Sequence, residues 1–169
     1  MLMRKRSAFV LLAASVMVWG IWCGGQVFNE MMIIPKWSAL PPESLKTFAE
    51  VPTKGGAPFF PLFNPLFALL AVGATIAAWS TAWRARLWLL ISASIAVLVS
   101  VSLIVYLAPL VGSMFAHSVA GDMSANEIVA GVEQWKLGNR IRLIVELFGF
   151  AFSVIALRVW SAETVPPAD

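Results

Sequence analysis

Apolar residues fill four long blocks of this chain, and polar segments separate them. The first block runs from about Ser7 to Phe28 and reaches toward Ile34, where Pro35 is expected to stop it. The second covers about Phe59 to Trp83, the third Leu87 to Phe115 and the fourth Ile141 to Trp160. A bilayer core of about 30 Å takes roughly 20 helical residues to cross, and each block meets that length. Only the fourth is interrupted by charge, at Arg142 and Glu146. The short alternating segments of a membrane barrel are not seen. The pattern predicts an all-α polytopic membrane protein, a single transmembrane domain over 1–169 with spans about 7–28, 59–83, 87–115 and 141–160.

The connections sharpen this outline. A tight turn at Arg84-Ala85-Arg86 would make the second and third spans antiparallel neighbours, and so an antiparallel four-helix bundle is expected. The other two connections, about Asn29 to Pro58 and Ala116 to Arg140, are long. Pro41-Pro42-Glu43 suits the start of a short interfacial helix carrying Leu45 and Phe48. Ser124-Ala-Asn-Glu127 has capping-box spacing, which predicts a helix from near Ala125 into the fourth span. Gly20 with Gly24, and Gly73 with Ala77, form small-xxx-small pairs that favour close helix packing.

Composition removes the soluble alternative. Of 169 residues, 60% are apolar and only 12% charged, with a mean hydropathy of +0.83. A soluble domain carries about a quarter charged residues to cover its surface. The net charge of +3 does not point to nucleic acid, because the basic residues flank apolar blocks and form no long run. Arg4, Lys5, Arg6, Arg84, Arg86 and Arg158 crowd short segments at one set of span ends, against only Glu163 and Asp169. At the opposite ends Lys36, Lys46, Lys54, Lys136, Arg140 and Arg142 are matched by Glu30, Glu43, Glu50, Asp122, Glu127 and Glu133. The positive-inside rule then predicts both termini on the cytoplasmic side. Trp79, Trp83, Trp88 and Trp160 would form the cytoplasmic aromatic belt, with Trp37 and Trp135 at the opposite interface. The basic start suggests a retained signal anchor, since no small-x-small cleavage site follows and Trp22 is too large for a lipoprotein site at Cys23. A bacterial inner membrane fits such a chain.

Candidate chemistry is sparse. The single cysteine excludes an intrachain disulfide, and the single histidine, His117, excludes a multi-histidine metal centre or bis-histidine haem. HExxH, P-loop, GxGxxG, GxSxG and CxxC motifs are absent, so no metal or cofactor is expected. What remains is a polar stripe on the fourth helix. Trp135, Asn139, Arg142 and Glu146 fall at i, i+4, i+7 and i+11, on one face. Charges in hydrocarbon are costly, so this face should turn into the bundle or a wet cavity. The alternative is that Arg142 snorkels to the headgroups and Glu146 merely neutralises it. The first helix offers a matching face at the same depth: Trp22, Gln26, Asn29 and Glu30. Asn64-Pro65, near the start of the second span, adds an amide and a proline break. Glu30 also reads as an exposed helix-end carboxylate, and Asn64 as an interhelical hydrogen bond. His117 suits an exposed loop, Tyr106 a packed ring with one satisfied hydroxyl, and Cys23 a small buried apolar residue.

Three segments together carry a resemblance. They are Trp19-Gly-Ile-Trp-Cys-Gly-Gly-Gln-Val-Phe-Asn-Glu leading to Pro35-Lys-Trp37, then Phe63-Asn64-Pro65-Leu-Phe67, then Trp135-Lys-Leu-Gly-Asn139-Arg-Ile-Arg142. In these the chain resembles the small four-helix membrane family that includes the fungal anthrone oxygenases, most of whose bacterial members have no known activity. The resemblance implies the fold, and it implies a cofactor-independent reaction. A base removes an acidic carbon-bound proton from an anthrone, and the resulting carbanion reacts with dioxygen. Glu146 or Glu30 would be the base, Arg142 and Asn139 would hold the phenolate, and Trp22 or Trp135 would stack on the rings. The long, proline-rich first connection departs from that family's pattern.

Three functional readings stay open at this point. A non-catalytic binding or accessory protein, taking a hydrophobic aromatic ligand or docking a membrane protein partner, is slightly favoured. An anthrone-oxygenase-like enzyme and a transporter or channel subunit, with homo-oligomers forming the pore, are the alternatives. In each the bilayer is the first partner and nucleic acid is not one. The polar face would hold catalytic Glu146, Arg142 and Asn139, with Trp22, Gln26, Asn29, Glu30, Asn64 and Trp135 binding ligand.

Overall fold

The computed structural model describes residues 2–51, 59–80 and 82–164, with side chains from residue 5 onward. The described residues are helical, without strands. Helices α1 (Leu2–Phe28), α2 (Ile34–Ser38) and α3 (Glu43–Glu50) precede α4 (Phe59–Ala78). Then come α5 (Arg86–Ser102), α6 (Ala108–Ala120) and the 40-residue α7 (Ala125–Thr164). Two wide π-helical turns, Asn29–Ile33 and Leu103–Leu107, join α1 to α2 and α5 to α6 without a break in direction of the chain. Four helical stretches are long and apolar enough to cross a membrane: Lys5–Ser38, Phe59–Ala78, Arg86–Ala120 and Ala125–Thr164.

Pro35 therefore does not stop the first span. The π turn ends two residues before it, and Ile34 N–H reaches back five residues to the Asn29 carbonyl. Pro109 stands in the same relation to the second π turn, where Ala108 N–H bonds the Leu103 carbonyl. A proline ring collides with the carbonyl four residues back and cannot donate a hydrogen bond. One widened turn moves that carbonyl aside and lets the helix continue.

The second span is shorter than expected, ending at Ala78 rather than near Trp83. Arg86 explains the early exit: its Nε donates to the Trp79 carbonyl at 2.7 Å, which takes that carbonyl as a partner outside the helix. The expected interfacial helix is present as α3, with Leu45 buried and Phe48 half-buried. The capping box is present too, with Glu127 N–H donating to Ser124 Oγ at 3.3 Å and Ser124 N–H to Glu127 Oε2 at 3.1 Å.

Helices α1, α4, α5 and α7 pack as a ring, α1 on α4 and α7, and α5 on α4 and α7. Their core has three layers. At one end, small residues (Ala8, Ala74, Ala78, Ala85 and Ala156 among them) surround Leu12, Leu89 and Trp160. The middle layer is aromatic, with Trp19, Trp22 and Phe67 against Ala71, Ala93, Ala96 and Val99. At the far end Ile34, Trp37, Leu45, Leu107, Met114, Ile128, Val132 and Trp135 join α2, α3, α6 and the first half of α7. The middle layer depends on one small residue of α7. A Cβ at Gly149 would lie 2.5 Å from the Trp19 ring and 2.7 Å from Ile95 Cγ2, so only glycine admits both. By contrast, a Cβ at Gly24 or Gly73 would meet nothing within 4 Å, so these two residues are not the helix contacts their spacing suggested.

Candidate functional site

The polar stripes of α1 and α7 meet inside the ring. Glu146 is 0% exposed and Arg142 6%, so neither faces headgroups. Arg142 Nη1 lies 3.2 Å from Glu146 Oε1, an i,i+4 pair on α7. Trp22 Nε1 donates to the same carboxylate oxygen across the ring at 3.0 Å. Arg142 Nη2 donates to Gln26 Oε1 at 2.9 Å and to Asn139 Oδ1 at 2.8 Å. Asn139 Nδ2 in turn donates to Glu30 Oε2 at 3.0 Å, and Arg140 Nε donates to Glu30 Oε1 at 2.6 Å. The result is a continuous polar chain, Trp22–Glu146–Arg142–Gln26/Asn139–Glu30–Arg140. It runs from a sealed carboxylate to an arginine whose side chain is 61% exposed.

Its charges balance, two acids with two bases, which is the condition for burying any of them. Trp22 and Gln26 of α1 and Glu30 of the following π turn recur every four positions, and Asn139, Arg142 and Glu146 of α7 every three or four, so both sides keep one helical face, with Arg140 reaching Glu30 from beside it. Cys23 adds a long sulfur contact to the Glu146 carbonyl at 3.8 Å. Some buried atoms in this region have no hydrogen-bond partner: Glu146 Oε2, Gln26 Nε2 and Arg142 Nε.

The remaining candidates sort apart. Trp135 is buried, but it donates to the Leu107 carbonyl at 2.9 Å and meets the Trp37 ring edge-on, in the far-end core. Asn64 is buried on α4, its carbonyl accepting from Ser100 Oγ at 3.4 Å; its side chain joins none of the bonds of the chain. Glu30 is a linker between helices and not a free helix-end carboxylate. Tyr106 is exposed, and Gln134 Nε2 donates to its hydroxyl at 2.7 Å. His117 is half-buried beside Asp122, 2.8 Å away. The Asp122 carboxyl is held below its ordinary value, chiefly by that hydrogen bond. Among the described residues no group of three or more His, Cys, Asp or Glu could hold a metal ion.

Beside the network lies a cleft of about 1190 Å³. Its inner wall is Gly24, Gly25, Phe28 and Asn29 from α1 and the following turn, with Phe59 and Phe60 of α4. Its outer wall is Lys36 of α2 with Glu43, Ser44, Thr47, Phe48 and Val51 at and beyond α3. Residues 52–58, which join Val51 to Phe59, lie outside the described residues. Of the residues expected to form a site, only Asn29 lines this cleft. Trp22 connects cleft and network: it stacks on Phe59 (5.9 Å, 4°) and on Phe67 (5.1 Å, 15°), while its indole N–H holds Glu146. Glu146, Arg142 and Asn139 do not line the cleft. The cleft walls were not legible as a site in the sequence, because they come from separate segments of the first span, its following connection and the second span. The long, proline-rich first connection was the one available signal.

No family model, curated protein or solved structure matches the chain.

Proposed function

We propose that this is an integral protein of a bacterial inner membrane that binds a lipophilic small molecule in the cleft between α1, α3 and α4, in a non-catalytic or accessory role. In this reading the four helices form an antiparallel bundle, with the ends near Lys5 and Thr164 on the cytoplasmic side. The clustering of Ala8 and Leu12 with Ala78, Ala85 and Trp160 supports that arrangement, because it gathers the Arg84–Arg86 turn and both chain ends at one pole. The resemblance to the anthrone-oxygenase group of small four-helix membrane proteins agrees with it.

One observation carries the binding reading: the open, largely apolar cleft is separate from the sealed ion pair. A site of this size walled by aromatic rings is suited to a hydrophobic ligand. The Arg142–Glu146 chain acts as the rivet that holds α1 to α7 behind the cleft wall. Gly24 supplies the test. It is exposed and lines the cleft, and a side chain there would enter open space, so Gly24→Phe should obstruct the inner end of the cleft and spare the fold. Native mass spectrometry of the gently extracted protein should find a bound lipophile on the wild type and none on G24F. Equal occupancy in both would reject the cleft as the site.

A second reading is favoured by the unpartnered Glu146 Oε2, a buried carboxylate oxygen with a free lone pair. In the enzymatic alternative, Glu146 takes a proton from an anthrone admitted when Trp22 and Phe59 part. Dioxygen consumption with an anthrone, lost in Glu146→Gln, would support it. No consumption by the wild type would remove it.

A further inference from the structure

The cleft has a chemical polarity that its apolar walls alone do not explain. At its inner end stand Gly24, Gly25, Phe28, Phe59 and Phe60, within membrane-crossing helices. At its outer end stand one cation, Lys36, and one anion, Glu43, both exposed. Neither forms an ion pair among the described residues. The two outer sides also differ in hydrogen-bonding character. Lys36 on α2 is a donor only. On α3, Thr47 Oγ1 already spends its proton on the Glu43 carbonyl and Ser44 Oγ spends its own on the Trp37 carbonyl, at 3.0 and 2.7 Å. Thr47 Oγ1 is therefore left as an acceptor beside the Glu43 carboxylate, and Ser44 Oγ, which already accepts from Leu40 N–H at 3.2 Å, keeps one lone pair. Among the described lining residues the outer end thus holds acceptors on α3 and one cationic donor on α2, with an apolar chamber beneath them.

We propose that the cleft binds a zwitterionic glycerophospholipid drawn from the bilayer. This rests on the lipophile-binding reading above and names its ligand class. The phosphate would meet Lys36, the ammonium would meet Glu43 and the Thr47 and Ser44 oxygens, and acyl chain would lie along Gly24, Phe28 and Phe59. Size supports a lipid over a single ring system, because about 1190 Å³ exceeds the roughly 300–1,000 Å³ of ordinary small-molecule pockets. Charge excludes a purely anionic head as the best fit, since Glu43 would repel it at the same rim. A headless diacylglycerol would leave both charges without partners. Placement fits as well: Lys36 stands in the last turn of the membrane-length stretch Lys5–Ser38 and Glu43 beyond it, whereas Gly24 and Phe28 stand farther inside that stretch.

The test titrates the full chain in detergent with phosphatidylethanolamine, phosphatidylglycerol and diacylglycerol of matched acyl chains, read by native mass spectrometry. Phosphatidylethanolamine should bind best, and Lys36→Ala and Glu43→Ala should each weaken it by roughly three- to fivefold, the scale of an exposed charge contact. Both sites are exposed, so these variants should keep the wild-type helix content. Equal binding of all three lipids, or a preference for phosphatidylglycerol, would overturn the zwitterion proposal and leave the cleft reading intact. Binding of none of them to a wild type that still carries a G24F-sensitive lipophile would overturn it too. If no lipophile is found on the wild type at all, the cleft reading fails with it.

Discussion

Removing one side of the buried ion pair gives the clearest energetic test of the fold. Arg142→Met keeps a long, flexible side chain of similar reach but deletes the guanidinium. Three partners then lose it at once: Glu146, 3.2 Å away, Gln26 and Asn139. Glu146 keeps its bond from Trp22 but is 0% exposed, with Oε2 already unpartnered. Truncating one member of a buried pair typically costs about 3–5 kcal/mol, because the other charge stays buried alone. Replacing both members with apolar residues is often neutral or stabilising, so Arg142→Met with Glu146→Leu should recover most of the loss. In the double variant Gln26 and Asn139 still lack the guanidinium and the Trp22 indole N–H loses its acceptor, and such hydrogen bonds are worth about 0.6 kcal/mol each in membrane bundles. The expected deficit is therefore about 3–5 kcal/mol for the single variant and roughly 2 kcal/mol for the double. Equilibrium unfolding in mixed detergent micelles, followed by tryptophan fluorescence, measures both, and the coupling between the two sites is their difference from additivity. Trp22 makes the signal local, since its indole is bonded to Glu146. If R142M is neutral, or the double variant is no more stable than R142M alone, the pair is not a sealed rivet between α1 and α7.

Two further outcomes follow from the same structure. Gly149→Ala and Gly73→Ala should move stability in opposite directions. The first drives a methyl into Trp19 and Ile95 and should cost about 1–3 kcal/mol. The second meets nothing within 4 Å in a helix interior and should gain up to about 1 kcal/mol, both read as shifts in melting temperature. At Asp122, the carboxyl is held below its ordinary value of 3.8 by His117, so its contribution is full well above that value and is lost as pH falls through the lowered folded value. The stability difference between the wild type and Asp122→Asn should accordingly shrink as pH falls from about 5 through the ordinary carboxylate range and below it. A difference that grows on acidification would contradict the His117–Asp122 hydrogen bond.

The sequence by itself determined the elements of this protein. Four apolar blocks of span length and 12% charge leave few foldings other than membrane-length helices. Ser124 and Glu127 announced the start of α7, because a capping box is local chemistry written within one turn, and Pro41-Pro42-Glu43 marked that of α3 without a side-chain cap. The spacing of Asn139, Arg142 and Glu146, and of Trp22, Gln26 and Glu30, showed two polar faces, because helical periodicity is local as well. Only the tertiary structure decided what those faces do. Whether Arg142 snorkels outward or pairs inward turns on where α1 sits, and α1 is more than a hundred residues away along the chain. The same distance hid the separation of Trp135 from Arg142: both lie on one stripe of α7, but Leu107 and Trp37 claim the first while Gln26 claims the second. Pro35 read as a stop because a local rule forbids proline in a regular helix, and a π turn two residues earlier removed the collision that the rule describes. The cleft was least legible of all. Its walls come from four separate segments, and a concavity is a property of their relative placement, which no single segment encodes.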